Sequence, residues 1–185
     1  MDDIEVFFPG AGETAGLRLD DGGQGVCEAM PDDSLSMLMA RILTGRPGYV
    51  SDPALDTSRN QIVYSHCMAM TKVFGPQGPA CPFRIRTLHN RDPRGACVQS
   101  FMPAGYMTTS FRIMGKNLVV HRAKSVGNYD SERGCRSQLV GDVHGDIEKL
   151  MRHWQAWHRV TVYGDITEPL KELAGALGLT FVEEA

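Results

Sequence analysis

The feature that most constrains the fold of this chain is a series of short β-like segments between residues 61 and 143. Their side chains alternate in character or are rich in β-branched and aromatic residues, as in half-buried strands. Most connections are too short for the helical crossovers that parallel strands require, whereas antiparallel neighbours need only a brief turn. The segments therefore predict an antiparallel meander or a small barrel. Six strands are expected, over residues 61–67, 83–88, 96–102, 106–114, 118–125 and 137–143.

Helical patterns lie on both sides of this strand-rich region. Apolar residues recur at helical spacing from Leu35 to Leu43, which predicts a helix over residues 32–44. Asp32-Asp33-Ser34 offers N-caps for this helix, and Gly45 is suited to its C-terminal end. The fold class is therefore α+β. After the strands, the pattern predicts a helix, a strand, a second helix and a last strand, over residues 146–154, 158–163, 167–177 and 179–182.

Composition excludes several classes of protein. Hydrophobic residues make up 42% of the 185 residues and charged residues 22%, which argues against disorder. The net charge of −3 and the lack of a basic stripe argue against a nucleic-acid or anionic-membrane partner. No stretch is apolar enough to span a bilayer, and the acidic start does not resemble a secretory signal. The five cysteines form no CxxC pair, which favours reduced thiols and a cytoplasmic location.

Four residues are candidate metal ligands: Glu28, Asp52, His66 and His158. Two carboxylates with one or two imidazoles make an oxygen-and-nitrogen shell that suits Mn²⁺ or Mg²⁺, and the imidazole favours Mn²⁺. Glu28 is expected just before the helix, and Asp52 in the turn after it. Taken singly, each residue also fits an ordinary structural role, as a solvated or capping acid or a packed histidine. Spacing alone leaves both interpretations open.

The remaining histidines carry weaker signals. His89 begins a turn and is a candidate for substrate contact. His144 lies between Asp142 and Asp146, which is typical of a turn with a capping acid as well as of a metal ligand. His121 and His153 have no acidic partner at a telling spacing, so a structural or surface role is expected for both.

The segments around the four candidate ligands resemble the L-fucose isomerase family and the related L-arabinose isomerases. The resemblance runs from about Val26 to the end of the chain and rests on the order and spacing of several short motifs. Glu28 and Asp52 lie 24 residues apart, similar to the family's spacing. The motifs are Cys27-Glu28-Ala29, Leu35-Ser36-Met37-Leu38, Leu43-Thr44-Gly45-Arg46-Pro47, Tyr64-Ser65-His66-Cys67, Gly134-Cys135-Arg136 and Trp157-His158-Arg159-Val160 with the strand that follows.

The resemblance implies a division of the chain and a set of site residues. Residues 1–58 would be a remnant of a middle α/β domain, and residues 59–185 a C-terminal six-stranded β-barrel domain with a terminal strand-helix-strand. Glu28, Asp52 and His158 would bind Mn²⁺ or another divalent metal, with His66 as a further ligand in the arabinose branch. In the family, two α/β domains precede this part, and the site lies between subunits of an oligomer.

The implied activity is isomerisation of an aldose to a ketose monosaccharide. Glu28 and Asp52 would be both metal ligands and acid/base groups, acting through an enediol, and the chain would need its missing N-terminal domains or a homo-oligomer to complete the site. A non-catalytic sugar-binding or assembly module of the same fold is the first alternative. A plain β-barrel interaction domain without metal is the second, because a fold does not determine a function.

Overall fold

The computed structural model describes residues 4–6, 18–26, 30–87, 96–155 and 157–185. Its strands are β1 Ile4–Val6, β2 Gln24–Val26, β3 Tyr49–Asp56, β4 Gln61–His66, β5 Phe83–Arg86, β6 Cys97–Ser100, β7 Met107–Met114, β8 Asn117–Asn128, β9 Ser137–Val143, β10 Arg159–Tyr163 and β11 Thr180–Glu183. The labelled helices are α1 Pro31–Thr44, α2 Ile147–His153 and α3 Thr167–Leu177, and residues 18–20 are also helical. Six strands close into an antiparallel barrel, in the order β8, β7, β10, β3, β4, β9 and back to β8.

The long strand β8 closes the barrel. One of its edges pairs with β7 over eight positions. Its other edge pairs with β9 along its second half, with a register shift between Ser125 and Gly127, and with β11 along its first half. The ends of β9 and β11 therefore share one edge of β8. β11 is parallel to β8 and lies outside the ring of six.

The prediction of a six-stranded antiparallel barrel is confirmed, but two of its strands differ from those expected. β5 and β6 pair with each other in a separate two-stranded sheet. β3 and β10 take their places in the barrel. Pairing between strands far apart in sequence decides this membership, and local alternation of side chains carries no information about it.

β3 also corrects the expected position of Asp52, which lies on this strand and pairs with Ser65 of β4, not in a turn. Pro53 is tolerated here because β3 pairs with β10 only from Tyr49 to Ser51. Beyond Ser51 the strand pairs with β4 alone, so the missing N–H of proline breaks no ladder on the β10 side. β3 precedes residue 59, where the barrel domain was expected to begin, and is nonetheless one of the barrel strands.

Helix α1 covers one side of the barrel, where it packs against β7, β10 and β3. The predicted N-caps are wrong: Met30 is the N-cap, without a side-chain hydrogen bond, and Pro31 begins the helix. The predicted C-terminal end is confirmed, with Gly45 at φ 68° donating its N–H to Arg41. Gly48 lets the helix lie close to β10, since a Cβ there would stand 2.5 Å from Val160.

The core lies between the strands and under α1 and α3, with Met37, Tyr49, Ile62, Phe111 and Leu170 among its fully buried side chains. Among the residues that the structure describes, none of the helices combines the length and the apolar character needed to cross a membrane.

Candidate metal centre

Three of the four predicted ligands come together at the end of the barrel where β4 ends and β10 begins. His66 is the last residue of β4, and His158 directly precedes β10. Asp52 lies on β3, which pairs with β4 on one side and β10 on the other. One ligand atom from each of the three residues lies within 4.8 Å of the other two. The strand pairing of the barrel therefore brings His158 to Asp52 and His66, which precede it by 106 and 92 positions.

A buried carboxylate orients His158. Oδ2 of Asp33 lies 2.6 Å from Nδ1 of His158, and both side chains are buried. The other oxygen of Asp33 lies 3.2 Å from Nη1 of Arg112, which is also buried. The Nδ1–H of the imidazole therefore donates a hydrogen bond to Asp33, and Nε2 lies 3.1 Å from Oδ1 of Asp52. Metal-binding histidines are commonly held this way, with a carboxylate selecting the tautomer and orientation.

Asp52 and His158 shift each other's pKa in opposite directions. Burial opposes a charged imidazole, but Asp33 and Asp52 outweigh it and raise the pKa of His158 to about 9. Burial also opposes ionisation of Asp52, but His158 and His66 outweigh it and lower the pKa of that carboxyl. Without a metal, the two side chains are therefore an imidazolium and a carboxylate at neutral pH.

His66 differs from His158 in both charge and tautomer. Burial lowers its pKa to about 4, with Asp52 opposing this shift and His158 adding to it. Its Nδ1 accepts a hydrogen bond of 3.1 Å from the N–H of Met68, so the neutral ring carries its proton on Nε2. A metal could bind Nε2 only after that proton moved to Nδ1 and displaced the Met68 bond. As it stands, His66 offers a hydrogen-bond donor beside the cluster.

The donor atoms of Asp52 and His158 fit a divalent cation. Two adjacent ligands at about 2.0–2.2 Å from one ion stand about 3 Å apart, close to the 3.1 Å between these atoms. Oδ1 of Asp52 is buried and accepts no well-aligned hydrogen bond from the described residues. Its side chain as a whole is 33% exposed, so the centre is reachable from solvent.

The other two predicted site residues, Glu28 and His89, lie outside the described residues. The structure therefore brings together Asp52, His66 and His158. Helix α1, whose first turn supplies Asp33, begins three positions after Glu28.

Sequence patterns did not predict the roles of two residues of the centre, Asp33 and Arg112. Asp33 was expected to cap α1, because acids in a first turn usually do so, yet it is fully buried against His158. Arg112 lies in a predicted strand, where no special role was expected, and the residue is buried, with 3% exposed. The only sequence signal for Arg112 is a charge placed between Phe111 and Ile113, since a buried arginine needs an acidic partner.

No protein-family model matches the chain, and a search of curated proteins found no match.

Proposed function

We propose that the chain is the C-terminal part of a metal-dependent aldose–ketose isomerase of the L-fucose isomerase type. The observation that carries the proposal is the convergence of Asp52 and His158, with the buried carboxylate of Asp33 behind the imidazole. The closed six-stranded antiparallel barrel agrees with the architecture implied by the resemblance of the motifs.

Asp52 and His158 would hold Mn²⁺ or another divalent ion, together with Glu28, and His66 stands beside them as a further ligand or a donor. An oxygen-and-imidazole set of this kind suits Mn²⁺. When bound, the ion would polarise the sugar carbonyl as a Lewis acid. Asp33 keeps Nε2 of His158 unprotonated in the neutral ring, because its Oδ2 accepts a hydrogen bond from the Nδ1–H and so holds the proton on Nδ1.

The carboxylates of Asp52 and Glu28 would carry out the proton transfers. One takes the C2 proton of the aldose and returns it to C1, through an enediol, while the proton of the C2 hydroxyl passes to the C1 oxygen. Asp52 is ionised at neutral pH, since His158 and His66 outweigh its burial and lower its pKa, and an ionised carboxylate can serve both as a ligand and as a proton acceptor. General acid–base catalysis of this type contributes about 10² to 10⁴-fold in rate.

The open side of the centre suits a monosaccharide. Trp157 is 69% exposed and directly precedes His158. It also adds to the lowering of the pKa of Asp52, after the larger effects of His158 and His66. A tryptophan presents a large apolar face and a polar N–H, which fits the C–H face and hydroxyls of a sugar. The N-terminal domains of such an isomerase, or another subunit of a homo-oligomer, would cover this side.

Metal binding is tested by a thermal shift with Mn²⁺. We expect Mn²⁺ to raise the melting temperature by mass action, and Asp52→Asn to remove most of the shift. His153→Ala, an exposed histidine of α2, is the control and should keep it. No shift at millimolar Mn²⁺ would overturn the metal centre.

Catalysis is tested by fucose-to-fuculose conversion, with the chain alone and with added N-terminal domains. Turnover that requires both Glu28 and Asp52 supports the proposed roles, whereas turnover that survives Glu28→Gln and Asp52→Asn contradicts them. A ketose- or polyol-induced thermal shift without turnover would favour the non-catalytic sugar-binding module.

A further inference from the structure

A second group of charged side chains is buried inside the barrel, directly behind the metal centre. Arg159, the first residue of β10, is fully buried and is held by Glu184. Its Nη2 donates to Oε1 of Glu184 at 2.6 Å and its Nε to Oε2 at 3.3 Å. Its guanidinium also stacks on Trp154, 3.9 Å from the ring centre. A two-pronged bond of this kind fixes the guanidinium in both position and plane.

Glu184 is itself held from several directions. Its N–H donates to the carbonyl of Val120 at 2.9 Å, which continues the pairing of β11 along β8. Its Oε2 lies 3.2 Å from Nδ1 of His121, and Nε2 of that ring lies 2.9 Å from the hydroxyl of Tyr64. Tyr64 is on β4 and His121 is on β8, which are not neighbours in the sheet, so these side chains meet across the barrel interior.

The guanidinium links this interior network to the centre. Nη1 of Arg159 donates at 3.0 Å to the carbonyl oxygen of His158. The same side chain that Glu184 orients therefore holds the peptide group of the candidate metal ligand. Asp33 fixes the imidazole of His158 from the α1 side, and Arg159 fixes its backbone from the barrel interior.

We propose that Glu184 is a positioning residue for the metal centre, acting through Arg159 on His158. This inference rests on the proposed function only in taking the centre to bind a divalent ion. Because coupling between two events is reciprocal, binding of Mn²⁺ also stabilises the docking of residues 180–185 along β8. Glu184, the residue after β11, thereby supports the metal centre from the barrel interior.

The first test compares two neighbouring glutamates. Glu184→Gln keeps the shape of the side chain but removes its charge and one acceptor oxygen. Mn²⁺ affinity, measured by electron paramagnetic resonance of the free ion, is expected to fall about 10-fold or more, as for other residues that orient metal ligands. Glu183→Gln is the control, because Glu183 pairs at 3.0 Å with the partly exposed Arg122 and not with Arg159. The Mn²⁺ affinity of this variant should stay within about twofold of wild type.

A second readout needs no metal. The Nδ1 proton of His158, held by Asp33, is expected as a sharp low-field NMR signal in the wild type and in Glu183→Gln. Glu184→Gln should broaden it through exchange with solvent. An unchanged signal in Glu184→Gln overturns the positioning role whether or not the protein binds Mn²⁺, and failure of the wild type to bind Mn²⁺ overturns the metal centre alone.

A third measurement uses the wild type, in case Glu184→Gln does not fold. Mn²⁺ is expected to slow amide hydrogen exchange in a peptide covering residues 180–185 and to leave the exposed face of α3, residues 167–177, unchanged. Equal effects on both segments, or none on residues 180–185 while Mn²⁺ is bound, would overturn the coupling.

Discussion

Among the residues that the structure describes, two buried pairs join a carboxylate to an imidazole, Asp33–His158 and Glu184–His121, and they differ in what the second ring nitrogen meets. In both pairs the carboxylate lies on Nδ1, at 2.6 Å and 3.2 Å. Nε2 of His121 lies 2.9 Å from the hydroxyl of the fully buried Tyr64. Nε2 of His158 lies 3.1 Å from Asp52, whose side chain is 33% exposed. The pair with His121 is therefore closed off from solvent, whereas the pair with His158 reaches solvent through Asp52.

The pKa values of the two histidines are shifted in opposite directions. Burial prevails at His121 and lowers its pKa, although Glu184 raises it, and the neighbouring Arg159 adds to the lowering. At His158, two carboxylates outweigh burial and raise the pKa to about 9. A carboxylate–imidazole pair is therefore not by itself a sign of a functional site. What the second ring nitrogen meets, and its access to solvent, distinguish His158 of the candidate metal centre from His121 of the interior network.

The largest effect is expected from breaking the sealed network. Arg159→Met leaves the carboxylate of Glu184 buried without its guanidinium, so the free energy of unfolding should fall by about 3–5 kcal/mol. Arg122→Met is the control, because its partners Asp165 and Glu183 are partly exposed, and it should cost about 1 kcal/mol or less. Urea denaturation measures both. Equal losses would mean that the interior network contributes no more than a surface ion pair.

The next effect separates the two histidines by metal binding. At a Mn²⁺ concentration about 100 times the dissociation constant, the wild type should gain about 2.7 kcal/mol of stability. His158→Ala should lose this gain, whereas His121→Gln should lower the melting temperature but keep the Mn²⁺-dependent increase. A Mn²⁺ effect that disappears in His121→Gln and survives in His158→Ala would reverse the assignment.

The pH dependence of the metal-free protein should show a maximum of stability near pH 6.5. The pKa of His158 is raised in the folded state from 6.5 to about 9, so its contribution is complete below pH 6.5 and is lost as the pH rises to about 9. The pKa of His66 is lowered from 6.5 to about 4, so stability falls as the pH decreases over that range.

Substitution assigns each side of this maximum. In urea denaturation at several pH values, His158→Ala should flatten the alkaline side. His66→Gln should reduce the loss on the acidic side without removing it, because burial also lowers the pKa of His121. A profile that keeps its alkaline loss in His158→Ala would contradict the raised pKa of that residue.

The smallest effect is expected at His66. Because its Nδ1 accepts from Met68, His66→Gln should weaken Mn²⁺ binding by less than about 10-fold, and less than Asp52→Asn does. Nitrogen-15 NMR should place the ring proton on Nε2 in the metal-free protein. A loss of affinity equal to that of Asp52→Asn would make His66 a direct ligand.

Local patterns predicted most elements of this chain to within a few residues. The helix expected over residues 32–44 spans Pro31–Thr44, and the strand expected over 137–143 is Ser137–Val143. Glycine at the end of α1 was predicted from its conformational freedom alone, and it adopts a positive φ there. Such features depend on neighbours in sequence, so a single sequence is sufficient to predict them.

What the sequence could not determine was which strands close the barrel and which acid supports the candidate ligand. β3 and β10 join the ring, instead of β5 and β6, because of pairings between distant segments. Asp33 has the sequence signature of a helix cap but lies 125 positions from the imidazole that it orients. The sequence was sufficient to predict most element boundaries, although not the strand β3. The roles of Asp33, Arg159 and Glu184 arose only when the closed barrel buried their charges together, because a buried charge requires a partner that only the tertiary structure supplies.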